Sequence, residues 1–415
     1  MSRSKTGSKK VFVRNRKLPF KDLIVMLSRG VKSSLQRELD DFYKQVTGSD
    51  FNIRQVTKGA FTQARANLKH EAFIELNESV NNSFYETAPY LVWHQMRLLA
   101  VDGTRLVLPN HPSIKEEFGE HGFGPNADSK RSLALASFLY DPLNLTTLDA
   151  QIAPYASSER ELLKAHIEKL LPGDLLLLDR GYPSIAIFYL LKARGVEFCI
   201  RMKEDWWLSV KEFMESGEKE REVEFKLPKK NHALLGEYPE TIKESIRCRL
   251  ICVELENGEK EVLCTSLLDS DKYTHKDLTE LYHYRWNVEE GYKLFKARLE
   301  VEKFSGKTAL AVKQDFYAKV YMMSLSAVLA FPIEEKVRQE YNQEKNKHPQ
   351  KINRTSTIGM TRDLSIGLFI KKMIRKALLA FDALVYRTRE IIRPGRKFER
   401  KHRTKKLYSM NYKPL

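Results

Sequence analysis

Leu175 to Leu178 is an unbroken run of leucine that ends directly in Asp179-Arg180-Gly181-Tyr182. A short apolar run with no polar alternation is the pattern of a strand covered on both faces, which places it centrally in a sheet flanked by helices. The acid that follows falls at the carboxyl-terminal edge of that strand, where open α/β sheets hold their ligands. The chain is therefore read as α/β, with Asp179 as a candidate functional residue.

Neighbouring segments extend the pattern. RLLAVDGTRLVLP predicts an earlier strand with Asp102 near its middle, followed by the Gly- and Pro-rich stretch HPSIKEEFGEHGFGPNAD. In SLALASFLYDPLNLTTLDAQIAP the central Asp141-Pro142-Leu143-Asn144 reads as a hairpin turn, so three antiparallel strands are expected. SERELLKAHIEKLLPG opens with a Ser-x-x-Glu capping box (Ser158, Glu161) and closes on Pro-Gly, the signature of a helix. The Asp179 strand, a helix near 184–194 and a fifth strand, VEFCIRMK, complete the set. Strand, strand, strand, helix, strand, helix, strand is the order of the ribonuclease H-like mixed sheet.

A second constraint is YHYRWNVEEGYKLFK, 282–296. If this is one helix, at about 100° per residue Tyr282, Arg285, Glu289, Lys293 and Lys296 share an arc of roughly 80°. Leu281, Val288, Tyr292, Phe295 and Leu299 form an adjoining apolar stripe that can pack on a core. An acid set among cations suits phosphate oxygens. The same residues also fit a plain i,i+4 ladder from Arg285 through Glu289 to Lys293. Glu300 shares the face of Glu289 but would lie about 16 Å further along a straight helix, and Glu290 turns toward the edge, so Glu289 is the preferred acid.

The Asp102 strand, the DRGY at 179–182 and the Y-x2-R-x3-E-x6-K pattern of Tyr282, Arg285, Glu289 and Lys296 together resemble a bacterial insertion-sequence transposase of the cut-and-paste DDE class, in the group with the YREK signature. FTQARANL at 61–68 is similar to that group's N-terminal region, so the likeness spans most of the chain. The resemblance implies a DNA transposase that cleaves transposon ends and joins the 3′-hydroxyls to target DNA. Asp102, Asp179 and Glu289 would be both catalytic residues and metal ligands. Three carboxylates at one point suit Mg2+ or Mn2+, and two ions about 3.5–4 Å apart can serve both oxygens of a phosphoryl displacement. Tyr282, Arg285, Lys293, Lys296, Arg180 and Arg65 would contact DNA, since Arg offers planar two-pronged donation and Lys a point charge to a backbone that carries no sequence information. The implied partners are double-stranded DNA, as transposon inverted repeats and target, and a second copy of the chain around two ends. Two other functions stay open: a ribonuclease H-like nuclease or resolvase that cuts without joining, and a DNA-binding protein with a decayed site.

Three regions are expected. Residues 1–95 read as a helical domain binding the transposon end, 96–335 as the catalytic domain, and 336–415 as a helical region with a basic tail. Phe61, Ala64 and Leu68 recur at helical spacing, and Arg54, Lys58, Gln63 and Arg65 would face DNA if this were a helix-turn-helix-like module. A plain bundle fits the spacing equally. About 204–272 reads as a β-rich insertion, with Asn257-Gly258 as the turn of a hairpin. Some members of the group place a tryptophan there for a base flipped during hairpin formation, and the matching position here is Glu261. Trp206 and Trp207 read as core or anchoring aromatics rather than stacking platforms. KTALAVKQDFYAKVYMMSLSAVLAF reads as a long apolar helix closing the catalytic core, and SIGLFIKKMIRKALLAFDALVYRTRE as an amphipathic helix with Leu368, Ile370, Ile374, Leu378 and Phe381 on one side.

Charge is concentrated at the ends. Residues 1–21 hold eight Lys/Arg and no acid, and 387–415 hold eleven against two acids, which accounts for the whole formal charge of +17. Such arms are expected to add salt-sensitive, sequence-independent affinity for DNA, against the alternative of solubilising tails. No apolar run approaches the roughly 20 residues of a bilayer span, and the basic N-terminus lacks the apolar segment of a signal peptide. Cys199, Cys248, Cys252 and Cys264 lie in predicted strands without zinc spacing, as reduced core residues of a bacterial cytoplasmic, nucleoid-associated protein with no membrane partner.

Overall fold

A computed structural model describes residues 18–52, 54–123, 129–236, 238–255, 258–342 and 348–393. Both basic tails fall largely outside these residues, as does Asn257. In chain order the elements are helices α1 (Phe20–Arg29), α2 (Leu35–Thr47), α3 (Lys58–Arg65) and α4 (Glu71–Thr87), then strand β1 (Arg97–Val107), α5 (Pro112–Phe118) and the small hairpin β2 (His121–Phe123) and β3 (Ser129–Arg131). Next come β4 (Leu133–Tyr140), β5 (Thr147–Pro154), α6 (Glu159–Ile167), β6 (Asp174–Leu178), α7 (Ile185–Ala193), β7 (Glu197–Met202), α8 (Leu208–Ser216) and β8 (Glu220–Phe225). After α9 (Pro239–Lys243) follow β9 (Ile246–Glu254), β10 (Lys260–Thr265), α10 (His275–His283), α11 (Trp286–Ala297), α12 (Ala309–Asn342), α13 (Arg354–Ser365) and α14 (Ile374–Arg387). They form two compact units: one of Ala88–Leu106 with Ala134–Tyr292, the other of the chain up to Thr87, Val107–Leu133 and the chain from Lys293.

The first unit is built on one mixed eight-stranded sheet, ordered β5-β4-β1-β6-β7-β10-β9-β8. β1 and β6 pair in parallel, as do β6 and β7, while β4–β5 and β10–β7 are antiparallel. The ribonuclease H-like order expected from the chain is thus present in β5-β4-β1-β6-β7. The local signals act as read. Asp141 closes the hairpin between β4 and β5 by accepting from the backbone N–H groups of Leu143 and Asn144, and Ser158 and Glu161 complete the capping box of α6. Every residue of β6 is buried, because α6 and α7 residues join it in one core with Leu163, Ile167, Phe188, Phe198 and Ile200. The β-rich insertion continues the same sheet, its last strand β10 pairing with β7. Glu261 on that strand is tied to Arg201 of β7 at 2.7 Å. The four cysteines are free, and Cys199, Cys248 and Cys264 are fully buried.

The second unit is helical around α12, which packs against α4, α1, α13 and α14. Its buried face is filled by helices of its own unit, from both the N-terminal and the C-terminal stretches of the chain. α12 is long and apolar enough to cross a bilayer by length and composition, unlike what the apolar runs suggested, but 78% of its apolar window is buried inside the protein. The segment after α13 is also broken rather than one helix. A π-helical turn at Ile366–Ile370 precedes a kink with Lys372 at φ 55°, and α14 buries Ala377, Phe381 and Val385 while Ile374 stays exposed.

Candidate active site

Register brings the first two acids together. Arg97 and Asp174 open β1 and β6, face one another in the parallel ladder and form a two-pronged salt bridge at 2.8 and 2.7 Å. The ladder then runs to Val101 opposite Leu178, so Asp102 and Asp179 are the next residues on two adjacent parallel strands. Neighbouring strands lie about 4.8 Å apart, and paired residues of a parallel ladder point to the same side. Two carboxylates 77 positions apart in sequence therefore stand side by side.

The signature segment is not a single helix. α10 ends at His283 and α11 starts at Trp286; across the join Arg285, Asn287 and Val288 donate to Tyr282, Tyr284 and Arg285, three residues back. These tighter i→i−3 bonds advance the chain by more per residue than an α-helix does, so the arc expected for a continuous helix does not hold for Tyr282 and Arg285. Tertiary placement nevertheless gathers the residues. The Tyr282 hydroxyl donates to Asp179 Oδ1 at 3.3 Å. The buried Arg285 guanidinium reaches Glu289 Oε1 at 3.2 Å and Asp102 Oδ2 at 3.7 Å. Burial opposes the charge on Arg285, but Tyr282, Asp179, Asp102 and Glu289 outweigh it and hold it protonated.

The three acids thus converge through Arg285 and Tyr282, although no three His, Cys, Asp or Glu side chains among the described residues already stand in an ion-holding arrangement. Burial, reinforced by the charges of Glu289 and Asp179, pushes the Asp102 carboxyl up to about 6, against the Gly103 N–H and Arg285, which favour its ionised form. An all-oxygen donor set with surplus negative charge fits a hard divalent cation. Glu290 is exposed and Glu300 lies past the end of α11 at φ 49° in an ion pair with Lys303, whereas Glu289 pairs with Arg285.

Side chains not read as site residues from the sequence support this edge. Tyr292, on the buried stripe of α11, donates to the Asp102 carbonyl at 2.5 Å and accepts from Phe138 N at 2.9 Å, its ring stacked on Phe138. The fully buried His166 links Asp149 (2.7 Å) to Ser137 (3.0 Å), whose hydroxyl also donates to the Asp102 carbonyl. Glu159, in the first turn of α6, lies close to Gly103 and Gly181, and burial and the charge of Asp179 raise its pKa. The only signal for it in the sequence was glycine at 103 and 181, one and two residues after the acids.

Of the expected DNA contacts, Arg180 and Lys293 are exposed and Lys296 is half-buried, the two lysines following Glu289 on the same face of α11. Arg65 departs from expectation. Its guanidinium is buried and donates to Gln314 Oε1 (2.8 Å), Ser305 Oγ (2.6 Å), Ala311 O (3.1 Å) and Asp315 Oδ1 (3.0 Å). The physical reason is helical spacing: Arg65 follows Phe61 by four residues, which turns it to the buried side of α3, while Lys58 and Gln63 face solvent. Arg54 is exposed and paired with Asp40 at 3.2 Å. Trp207 packs on Phe188 and Phe225 in the core, whereas Trp206 is exposed with Lys203 Nζ 3.8 Å from its ring and Arg160 beside it.

Residues 93–325, which include all three acids, match the family of the transposase DDE domain. The chain belongs to that family. Transposase InsG for insertion sequence element IS4 of Escherichia coli (strain K12) is similar to this DDE-domain chain, at 24% identity over 311 residues. The match covers 72% of this chain and 66% of that relative, slightly under two thirds of its length. Among solved structures, a piggyBac transposase in a synaptic complex with hairpin DNA is similar at a TM-score of 0.45 and 10% identity, over 92% of this chain and 77% of that one.

Proposed function

We propose that this protein is a DNA transposase that nicks transposon ends to free 3′-hydroxyls and joins them to target DNA. The observation that supports it is the meeting of Asp102, Asp179 and the Arg285–Glu289 pair at one sheet edge, within a DDE-domain chain. Asp102, Asp179 and Glu289 would hold Mg2+ or Mn2+, as two ions, since the three acids offer enough oxygens for both. When bound, the ions would activate the attacking water or hydroxyl and stabilise the leaving oxygen.

The protein's own side chains position the rest. Tyr282 orients Asp179, and Tyr292 fixes the Asp102 backbone to α11. Arg285 is held in reach of the acids, where a phosphate oxygen of the DNA can take its donors. Lys293 and Lys296 continue the cationic face, and Arg180, Arg160, Lys203 and the exposed Trp206 offer charge and a stacking surface beside Gly181, whose carbonyl accepts from Arg160 at 3.1 Å. Lys58, Gln63 and Arg54 remain the surface candidates of an end-binding region within 1–95. Arg65 is replaced in that role, since its donors are used internally. A dimer around two ends, acting in the bacterial cytoplasm, belongs to the same proposal.

The test uses DNA flanking the gene, carried on a plasmid, with purified protein and Mg2+. Nicks at inverted repeats, and joined products from precut ends, are expected for the wild type. Asp102→Asn, Asp179→Asn and Glu289→Gln should abolish both while retaining DNA binding in a gel-shift assay. Cleavage without joined product would instead identify a nuclease, and binding with no cleavage under any divalent cation a decayed enzyme.

A further inference from the structure

A fourth carboxylate stands beside Asp102 and Asp179. Glu159 extends from the first turn of α6 into the space against Gly103 and Gly181, the glycines that follow the two acids. A Cβ on Gly103 would lie 2.6 Å from Glu159 Oε1, and one on Gly181 would lie 3.3 Å from Oε2. Any side chain at 103 would therefore displace the carboxylate. An acid in a first helical turn is favourable by itself, but that role needs no approach to two glycines distant in sequence. The capping of α6 is already complete through Ser158 and Glu161.

What Glu159 lacks is as informative as where it sits. It is half-buried, and among the described residues no cation or hydrogen-bond donor pairs with its carboxylate. Beside it, Tyr182 is 1% exposed, and its hydroxyl has no hydrogen-bond partner among the described residues while lying in the field of Glu159, Asp102 and Asp179. Buried polar groups are normally satisfied. A hydrated divalent cation supplies both missing partners at once: positive charge for the carboxylate, and bound water whose O–H groups donate to the phenol oxygen.

We propose that Glu159 is an additional carboxylate of the divalent-cation site, reaching the ion or a water bound to it, with Gly103 and Gly181 kept bare to admit it. This inference rests on Asp102 and Asp179 being cation ligands. The experiment titrates Mn2+ into the full-length chain and follows the free-ion signal by electron paramagnetic resonance. Glu159→Gln is isosteric and should weaken Mn2+ binding about tenfold or more, the usual effect of losing a ligand or its hydrogen-bonded support. Glu159→Asp keeps the charge on a shorter stem and should fall between the two, which a folding defect would not produce. Gly103→Ala should weaken binding in the same direction. Mn2+ affinity within twofold of wild type in Glu159→Gln, with loss in Asp179→Asn, overturns the role of Glu159 alone. Unchanged affinity in both variants overturns the cation site itself.

Discussion

Replacing Arg65 by methionine tests whether its buried network, rather than DNA, is its partner. The substitution keeps volume but removes four hydrogen bonds and leaves Asp315, with a side chain 5% exposed, without its nearest cation. Removing one member of a buried ion pair typically costs about 3–5 kcal/mol. Part is retained, because the Ser305 N–H and hydroxyl still donate to Asp315 and Lys319 lies nearby, so the lower half of that range is expected. Burial raises the Asp315 carboxyl, but Arg65, Lys319 and Ser305 together outweigh it and hold it below the usual range. Stability from a carboxyl lowered on folding is present above its unfolded pKa, about 3.9, and is lost as pH falls through the folded value. Urea titrations followed by circular dichroism should therefore show the deficit of Arg65→Met at pH 7 and a smaller gap to wild type in acid. A loss under about 1 kcal/mol, joined to weaker and less salt-sensitive DNA binding, would refute the structural role and return Arg65 to the DNA surface.

Four further outcomes follow from the same geometry. Tyr292→Phe removes the hydroxyl that accepts from the Phe138 N–H and donates to the Asp102 carbonyl, leaving that carbonyl only its longer bond from Ser137, so a stability loss of about 1–3 kcal/mol is expected in chemical denaturation; no loss would mean that α11 is held by packing alone. Asp102→Asn should stabilise the cation-free protein at pH 7 by about 2–3 kcal/mol, because folding raises the Asp102 carboxyl from 3.8 to about 6. That advantage is present above pH 6 and vanishes below pH 4, where both folded and unfolded states hold the proton; equal melting temperatures at pH 7 would count against it. Asp174→Asn removes the buried charge that pairs with Arg97 at the start of the β1–β6 ladder, and should cost about 3–5 kcal/mol in chemical denaturation, as breaking a buried ion pair does; a loss under about 1 kcal/mol would show that the ladder needs no such pin. Deleting residues 1–17 and 394–415 should make the slope of log affinity against log salt shallower by about 0.9 for each phosphate that the arms neutralise, and an unchanged slope would leave the tails without a part in DNA binding.

Much of the sheet was legible because its determinants are local. The leucine run of β6, the Asp141 turn and the Ser158–Glu161 box each act within a few residues, through burial periodicity, backbone dihedrals and satisfaction of helix-end N–H groups. The position of Asp179 just past β6 and of Asp102 within β1 was legible from the apolar runs around them, and Glu289 from the spacing of the signature. The burial of Arg65 also has a local sign, its spacing of four from Phe61, but its charge points the other way and only the packed partners decide between them. The break between α10 and α11 has no such sign, since every residue from Tyr282 to Lys296 is compatible with a helix and the tighter turn is selected by contacts made elsewhere.

By itself, the amino-acid order determined most of the strands and helices, the faces they bury and that Asp179 follows a buried strand, because those preferences are set by near neighbours. Tertiary structure alone decided that Arg97 meets Asp174, that Asp102 then lies abreast of Asp179, and that Glu159 enters the gap left by two glycines. Partners tens of residues apart have no local signature. Their meeting depends on strand register and helix packing, which are fixed only when the whole sheet closes its core.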